Sequence, residues 1–321
     1  MKKATKIWLI VAAALVFIGI VAFVLIMTIN HWRFTALNTT QYETNTVNIS
    51  ESFQNISINS DTGDIAFIQS DDGKCRVDFY ETENERHTAK VQNGTLLIEK
   101  INTGNWIDHV SIFSIGAPKI TVYLPQEKYA ALLIDEGTGD VTIPGEFSFE
   151  NIEISASTGD VSCYASSTGM LHINTSTGSI HTENLSAEAL DLSVTTGRIE
   201  IRSVTCAGAI GANVSTGKTF INDTSCKSFT SSGSTGDINM ANFKATEMLS
   251  IERSTGDVKF DHCDAGELLI TTDTGDVTGS LLSDKVFIVK TDTGDIEVPE
   301  TTTGGKCQIT TDTGDIKIQI D

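Results

Sequence analysis

Thr-Gly dipeptides recur along most of this chain at nearly constant spacing. Their glycines are Gly139, Gly159, Gly178, Gly197, Gly217, Gly236, Gly256, Gly275, Gly294 and Gly314, and every interval is 19 or 20 residues. Seven and five residues before the glycine stand apolar pairs such as Leu132/Ile134, Ile152/Ile154, Leu171/Ile173 and Leu249/Ile251. Two and four residues after it stands a second set, such as Val141/Ile143, Ile199/Ile201, Val258/Phe260 and Ile316/Ile318. Both sets alternate with the period of two that marks a strand. A unit this short cannot bury its own apolar face, but stacked copies bury one another's and pair each strand with its equivalent in the next coil. The expected fold is all-β: a parallel β-solenoid (β-helix) of about ten 19–20-residue coils. At about 4.8 Å per coil the stack extends about 48 Å. Propeller blades, at around 40 residues, are too long for this interval.

The same repeat disposes of a tempting motif. Asp-Thr-Gly, the tripeptide of aspartic proteases, occurs at 61–63, 273–275, 292–294 and 312–314. At the equivalent place other coils carry Gly-Thr-Gly (137–139), Ser-Thr-Gly (157–159) and Thr-Thr-Gly (195–197). A catalytic carboxylate would not be replaced in this way. The proteolytic pair must also face one another to share a proton, whereas these copies lie on one edge of successive coils. The tripeptide is read as a structural turn, with glycine supplying a left-handed conformation and Asp or Ser two residues earlier bonding backbone N–H groups across the bend.

Residues 131–321 form the solenoid in this reading. Residues 49–130 form an irregular β region that caps it near the membrane. Within that region Ile56, Ile58, Ile65 and Phe67 repeat the coil pattern around Gly63. Hairpin-like strands are expected at 75–80 and 95–100, the latter following Asn93-Gly94, and a further strand at 118–125. Residues 31–48 read as a linker. The last coil, ending in Asp-Ile-Lys-Ile-Gln-Ile-Asp (315–321), reads as the free end of the stack. Lys317 and Asp321 stand there as edge guards, and the alternative is an edge that docks onto a partner or a second copy.

Residues 1–30 carry a different signal. Lys2, Lys3 and Lys6 precede 23 uncharged, mostly apolar residues, 7–29. As a helix these span roughly 34 Å, enough to cross a bilayer core. No small-residue cleavage site follows, so the segment reads as a retained signal anchor, with Trp32 at the interface. The lysines before it and Arg33 after it place the N-terminus in the cytoplasm and the bulk of the chain outside. Net charge is −20 over 321 residues. With the three N-terminal lysines set aside, 19 basic residues face 42 acidic ones. Such a body repels nucleic acid and anionic lipid surfaces.

The Ser-Thr-Gly-Asp-Val turns, the strand at 118–125 and the N-terminal anchor together resemble the bacterial putative-adhesin family of β-strand-repeat domains of unknown function. The resemblance covers about residues 49–321. It implies an envelope protein of adhesin-like role, and some members accompany envelope-stress systems. It carries over no catalytic residue.

Among candidate sites the acidic edge stands first. Asp276, Asp295 and Asp315 follow the turn glycine in three coils, and Asp273, Asp292 and Asp312 precede it. Stacked about 5 Å apart, they repel by on the order of 1 kcal/mol per pair in water. Either backbone N–H groups at each corner offset this, or a cation such as Ca2+ does. The Gly-Gly-x-Gly-x-Asp calcium repeat is absent. Six cysteines show no Cys-x-x-Cys spacing, so no zinc site is expected. Cys206 and Cys226 share one repeat position in adjacent coils, within disulfide range, and two buried free thiols are the alternative. Six histidines show no triad or ligand spacing, and Trp106 is the one tryptophan outside the anchor region. The functional expectation is a non-catalytic scaffold or adhesin-like module contacting an envelope or surface component. The alternatives are an accessory regulator bound to a membrane sensor protein and, last, a polysaccharide-acting enzyme.

Overall fold

The computed structural model describes residues 3–29, 31–32, 42–82, 85–101 and 118–321. Arg33 and Trp106 lie outside the described residues, as does 33–41, half of the stretch read as a linker. One helix, α1 (Lys3–Ile29), carries the apolar run. Its segment Trp8–Ile29 is long and apolar enough to cross a membrane, a property that membrane anchors and signal sequences share.

The rest is a parallel β-solenoid of about ten coils. Each coil is named here by its turn glycine. The register is that of the repeat: Ile152 pairs with Leu171, Leu171 with Leu190, and Leu190 with Ile210. The inward columns are buried throughout the inner coils. Ile134, Ile154, Ile173, Leu192 and Ile270 are fully buried in one column, and Val141, Val161, Ile180, Ile199 and Ile238 in another. Each such aliphatic side chain contributes about 1.5–3 kcal/mol. They form one core running from Ile49 to Ile318.

The turn glycines are not in the compact left-handed conformation expected of them. Their φ values lie between 130° and 159°, a region open only to glycine. Stacking adds a second constraint, because a Cβ on any of these glycines would meet the backbone of the neighbouring coil, as Gly256 would meet the Gly236 carbonyl oxygen. The left-handed corner lies six residues further on, at Asn184, Ser203, Asp223, Asn242 and His262, with φ between 50° and 54°. Asn and Asp tolerate this geometry better than most residues.

At both ends the spatial order of coils departs from the sequence order. Strands β1 (Tyr42–Ile49), β2 (Asn55–Thr62), β3 (Asp64–Gln69), β4 (Cys75–Thr82), β5 (Arg86–Gln92), β6 (Thr95–Ile101) and β7 (Lys119–Leu124) build the N-terminal region. β2 lies between β6 and the first strand of the Gly139 coil, and β3 lies beside β7. The Gly63 coil is therefore second in the stack. Antiparallel β5 covers β6, β4 covers β7, and β1 covers β4. Strands stand at 75–80 and 95–100 as expected, and the hairpin through Asn93-Gly94 joins β6 to β5, a strand in the stretch read as a polar turn. β1 also occupies the end of the stretch read as a linker.

At the other end, the last coil in sequence is not the last in space. Strand Gly305–Thr313 pairs with Val258–Thr274 on one side and with Lys285–Thr293 on the other. Strand Ile316–Ile320 lies likewise between Val277–Leu281 and Ile296–Glu297. The Gly314 coil is thus inserted, and the Gly294 coil is the outer one. This corrects the expectation that Lys317 and Asp321 guard a free edge.

Candidate functional site

The Asp residues that follow the turn glycines form a hydrogen-bonded ladder. Asp64 Oδ1 accepts the backbone N–H of Asp140 at 3.0 Å, and Asp140 Oδ1 accepts that of Asp160 at 2.8 Å. After an interruption, Asp237 Oδ1 accepts from Asp257 at 3.2 Å and Asp257 Oδ1 from Asp276 at 3.1 Å. Asp276 Oδ1 then accepts from Asp315 at 2.8 Å, and Asp315 Oδ1 from Asp295 at 2.9 Å. Each carboxylate serves the next coil, not its own corner as the sequence suggested. A charge-assisted bond of this kind offsets much of the repulsion along the column. The N–H of Asp295 and the side chain of Lys317, whose Nζ is 2.6 Å away, hold the Asp315 carboxyl below the usual carboxylate range. The Lys218 ammonium, the N–H of Asp257 and Lys259 do the same for Asp237, against a smaller opposing effect of burial.

Asp273, Asp292 and Asp312, on the other side of the turn, are exposed. Asp292 pairs with Lys290 Nζ at 2.7 Å. Among the described residues, no Asp or Ser two before the turn glycine bonds backbone across it, and no group of three or more His, Cys, Asp or Glu is placed to hold a metal ion. All six cysteines are free and buried. Cys163 and Cys307 are fully buried in the inward columns. Cys206 and Cys226 continue a column with Ala187, Ala245 and Ala265, as the repeat implied. Cys206 Sγ donates weakly to the Glu188 and Ala209 carbonyls. Burial pushes the Cys226 thiol up to about 12. Among the described residues, His87, His172, His181 and His262 lie beside carboxylates, as in His172 Nδ1 at 2.9 Å from Asp191 Oδ2.

Two features escaped the sequence reading. Four residues before the turn glycine, outward positions in register read Ser155, Asn174, Ser193 and Asn213. Ser232 continues the column, bonding Asn213 Oδ1 through both its N–H and its hydroxyl at 3.0 and 2.9 Å. A groove of about 340 Å3 opens here, lined by Ser193, Asn213, Ser215, Ser232 and Ser254, with Glu252 at one end. Hydroxyl and amide groups spaced by the coil repeat can bond a polyhydroxylated ligand laid along the stack. The sequence carries this column as small polar residues four before the turn glycine, a pattern that any solvated strand face shares. The second feature is a partly buried cluster at the C-terminal chain crossing. The Lys285 side chain is 3% exposed, with Nζ at 2.7 Å from Asp264 Oδ1 and 2.6 Å from Ser283 Oγ. Ser283 Oγ also donates to Asp264 at 2.8 Å. Burial alone would raise the Asp264 carboxyl; Lys285 and Ser283 outweigh it and hold it low. Lys285 is therefore a charge-matched clamp.

A capped parallel β-solenoid, preceded by one apolar helix, is the class of protein that this fold and surface define. The chain belongs to the Toastrack DUF4097 family, whose model matches residues 53–217 and 208–321. No curated protein is significantly similar to it in sequence. Among solved structures, a putative adhesin from Parabacteroides merdae is similar, with TM-score 0.53 and 12% identity over 77% of this chain and 98% of that one. A putative adhesin from Parabacteroides distasonis gives TM-score 0.51 and 14% identity over 85% and 98%. A putative lipid binding protein from the same species gives 0.50 and 19% over 75% and 95%. At these identities the likeness is one of fold.

Proposed function

We propose that this chain is a non-catalytic, membrane-anchored module that holds its solenoid outside the cytoplasm and binds an envelope or surface component along the polar face. The observation that carries this reading is the Ser/Asn column with its groove across the Gly197, Gly217, Gly236 and Gly256 coils. It offers uncharged donors and acceptors at a fixed repeat, which suits sugar hydroxyls better than ionic ligands. The adhesin names of proteins with the same fold agree with it. The helix Trp8–Ile29 supplies the anchor. The three N-terminal lysines favour a cytoplasmic N-terminus.

The test is in-cell crosslinking of the full-length protein from a photoreactive residue at Ser215, in the groove. Capture of wall glycan or a surface protein, reduced by Asn213→Ala, is the expected result. Capture of a membrane sensor protein instead would overturn this reading in favour of a regulatory one.

A further inference from the structure

The Gly294 coil differs from every inner coil in one respect: its core face is open. Ile296 occupies the column of Val141, Val161, Ile199 and Ile316, all fully buried, yet it is 47% exposed. Phe287 and Val289 are only partly buried in columns that are otherwise closed. The outer side of strand Lys285–Thr293 has no partner among the described residues.

We infer that this coil is a docking edge for an extended segment of another protein, which adds to the sheet parallel to Lys285–Thr293. Three observations specify the occupant. First, the ladder has a direction. Each turn glycine donates its N–H to a Thr carbonyl of the next coil outward, as Gly275 does to Thr313 and Gly314 to Thr293, and each Asp carboxylate accepts an N–H from that coil. Gly294 N–H and Asp295 Oδ1 stand ready to continue both series, and a parallel strand satisfies them.

Second, a second copy of this chain does not fit. Head-to-tail stacking needs the other end of the solenoid, which antiparallel β4 and β5 cover. A two-fold dimer through this edge would pair the strands antiparallel, leaving the ladder unfinished. It would also bring like charges together. Third, the edge is acidic. Lys290 is matched by Asp292, which leaves Asp295, Glu297 and Glu300 exposed around the open core. The fitting segment alternates β-branched apolar residues, facing Ile296 and Phe287, with lysine or arginine. The inference is independent of what the polar face binds.

The test uses the full-length protein in nanodiscs and a labelled 12-residue peptide alternating Val with Lys and Thr. An otherwise identical peptide with Glu for Lys is the control. Fluorescence anisotropy and amide exchange are the readouts. The basic peptide is expected to bind saturably, to slow exchange over residues 286–297, and to bind at least tenfold more weakly to Ile296→Lys. Asp295→Ala, on the exposed ladder end, should weaken it at least threefold. No saturation, equal binding of both peptides, or unchanged binding to Ile296→Lys would overturn the inference. So would self-association of the chain through this edge that excludes the peptide.

Discussion

The backbone N–H of Asp295 lies 2.9 Å from the carboxylate of Asp315. Asp315 follows Asp295 by 20 residues in the chain but precedes it in the stack. The chain builds the outer coil first and then slips its last coil beneath it. The Gly63 coil at the opposite end is likewise second in the stack. In both places the outer layer is laid over a coil that the sequence would have placed outermost.

The ladder should matter more as hydrogen bonding than as charge. Asp276→Ala removes the acceptor for Asp315 N–H and is expected to destabilise the protein by about 1 kcal/mol. Asp276→Asn keeps an acceptor and removes a like charge, so its melting temperature should stay nearer the wild type. Thermal melts of the two variants at one pH compare them directly.

The clamp at the chain crossing joins the buried Lys285 to a partly exposed Asp264, and breaking it leaves Asp264 and Ser283 without their cation. Lys285→Met should therefore cost about 2 kcal/mol, less than a pair buried on both sides. Chemical denaturation would measure this, and a loss below 1 kcal/mol would mean that the crossing is held by other contacts.

Glu136 should impose a pH dependence on stability. Its side chain is buried, its Oε1 accepts the Thr138 N–H at 3.1 Å, and the Ser60 hydroxyl lies nearby. Burial, reinforced by Asp61 and Asp64, raises its carboxyl to about 7 against the opposing bonds from Ser60 and Thr138. The folded state thus holds this proton more tightly than the unfolded chain. Its stabilising effect is complete below about pH 4.5 and is lost as pH rises through about 7. Glu136→Gln keeps the Thr138 bond and removes the titration. It should flatten stability between pH 4.5 and 7.5 and gain about 1–3 kcal/mol at the upper end.

Calcium should add little to folding. The ladder carboxylates below the terminal Asp295 already accept N–H groups, and Asp273, Asp292 and Asp312 are exposed. Chelation is expected to shift the melting temperature by less than about 2 °C, on the order of 0.5 kcal/mol for a domain of this size. A larger fall would make Asp273, Asp276, Asp292, Asp295, Asp312 and Asp315 a cation array.

The parts legible in the sequence are those the repeat imposes locally. Period-two alternation fixed which residues point inward, and constant spacing fixed the glycine column and the alignment of Cys206 with Ala187. The order of coils was not legible, for a physical reason. Equivalent positions carry similar residues, so the Gly314 coil fits beside the Gly275 coil as well as the Gly294 coil would. Pro299 does not betray the outer coil, because Pro144 stands five residues after its turn glycine too, in an inner one. Tertiary contacts such as Lys285 with Asp264 form only once the coils are ordered in this way. Sequence also located the acidic column but not its partners, since backbone N–H groups of a neighbouring coil leave no residue signature.

Amide hydrogen exchange of the full-length protein tests the insertion of the last coil most directly. Strand Ile316–Ile320, although it is the last in sequence, is expected to exchange as slowly as the mid-solenoid strands, while Lys285–Thr293 exchanges faster along its outer side. Rapid exchange over 316–320 together with slow exchange over 285–293 would contradict it.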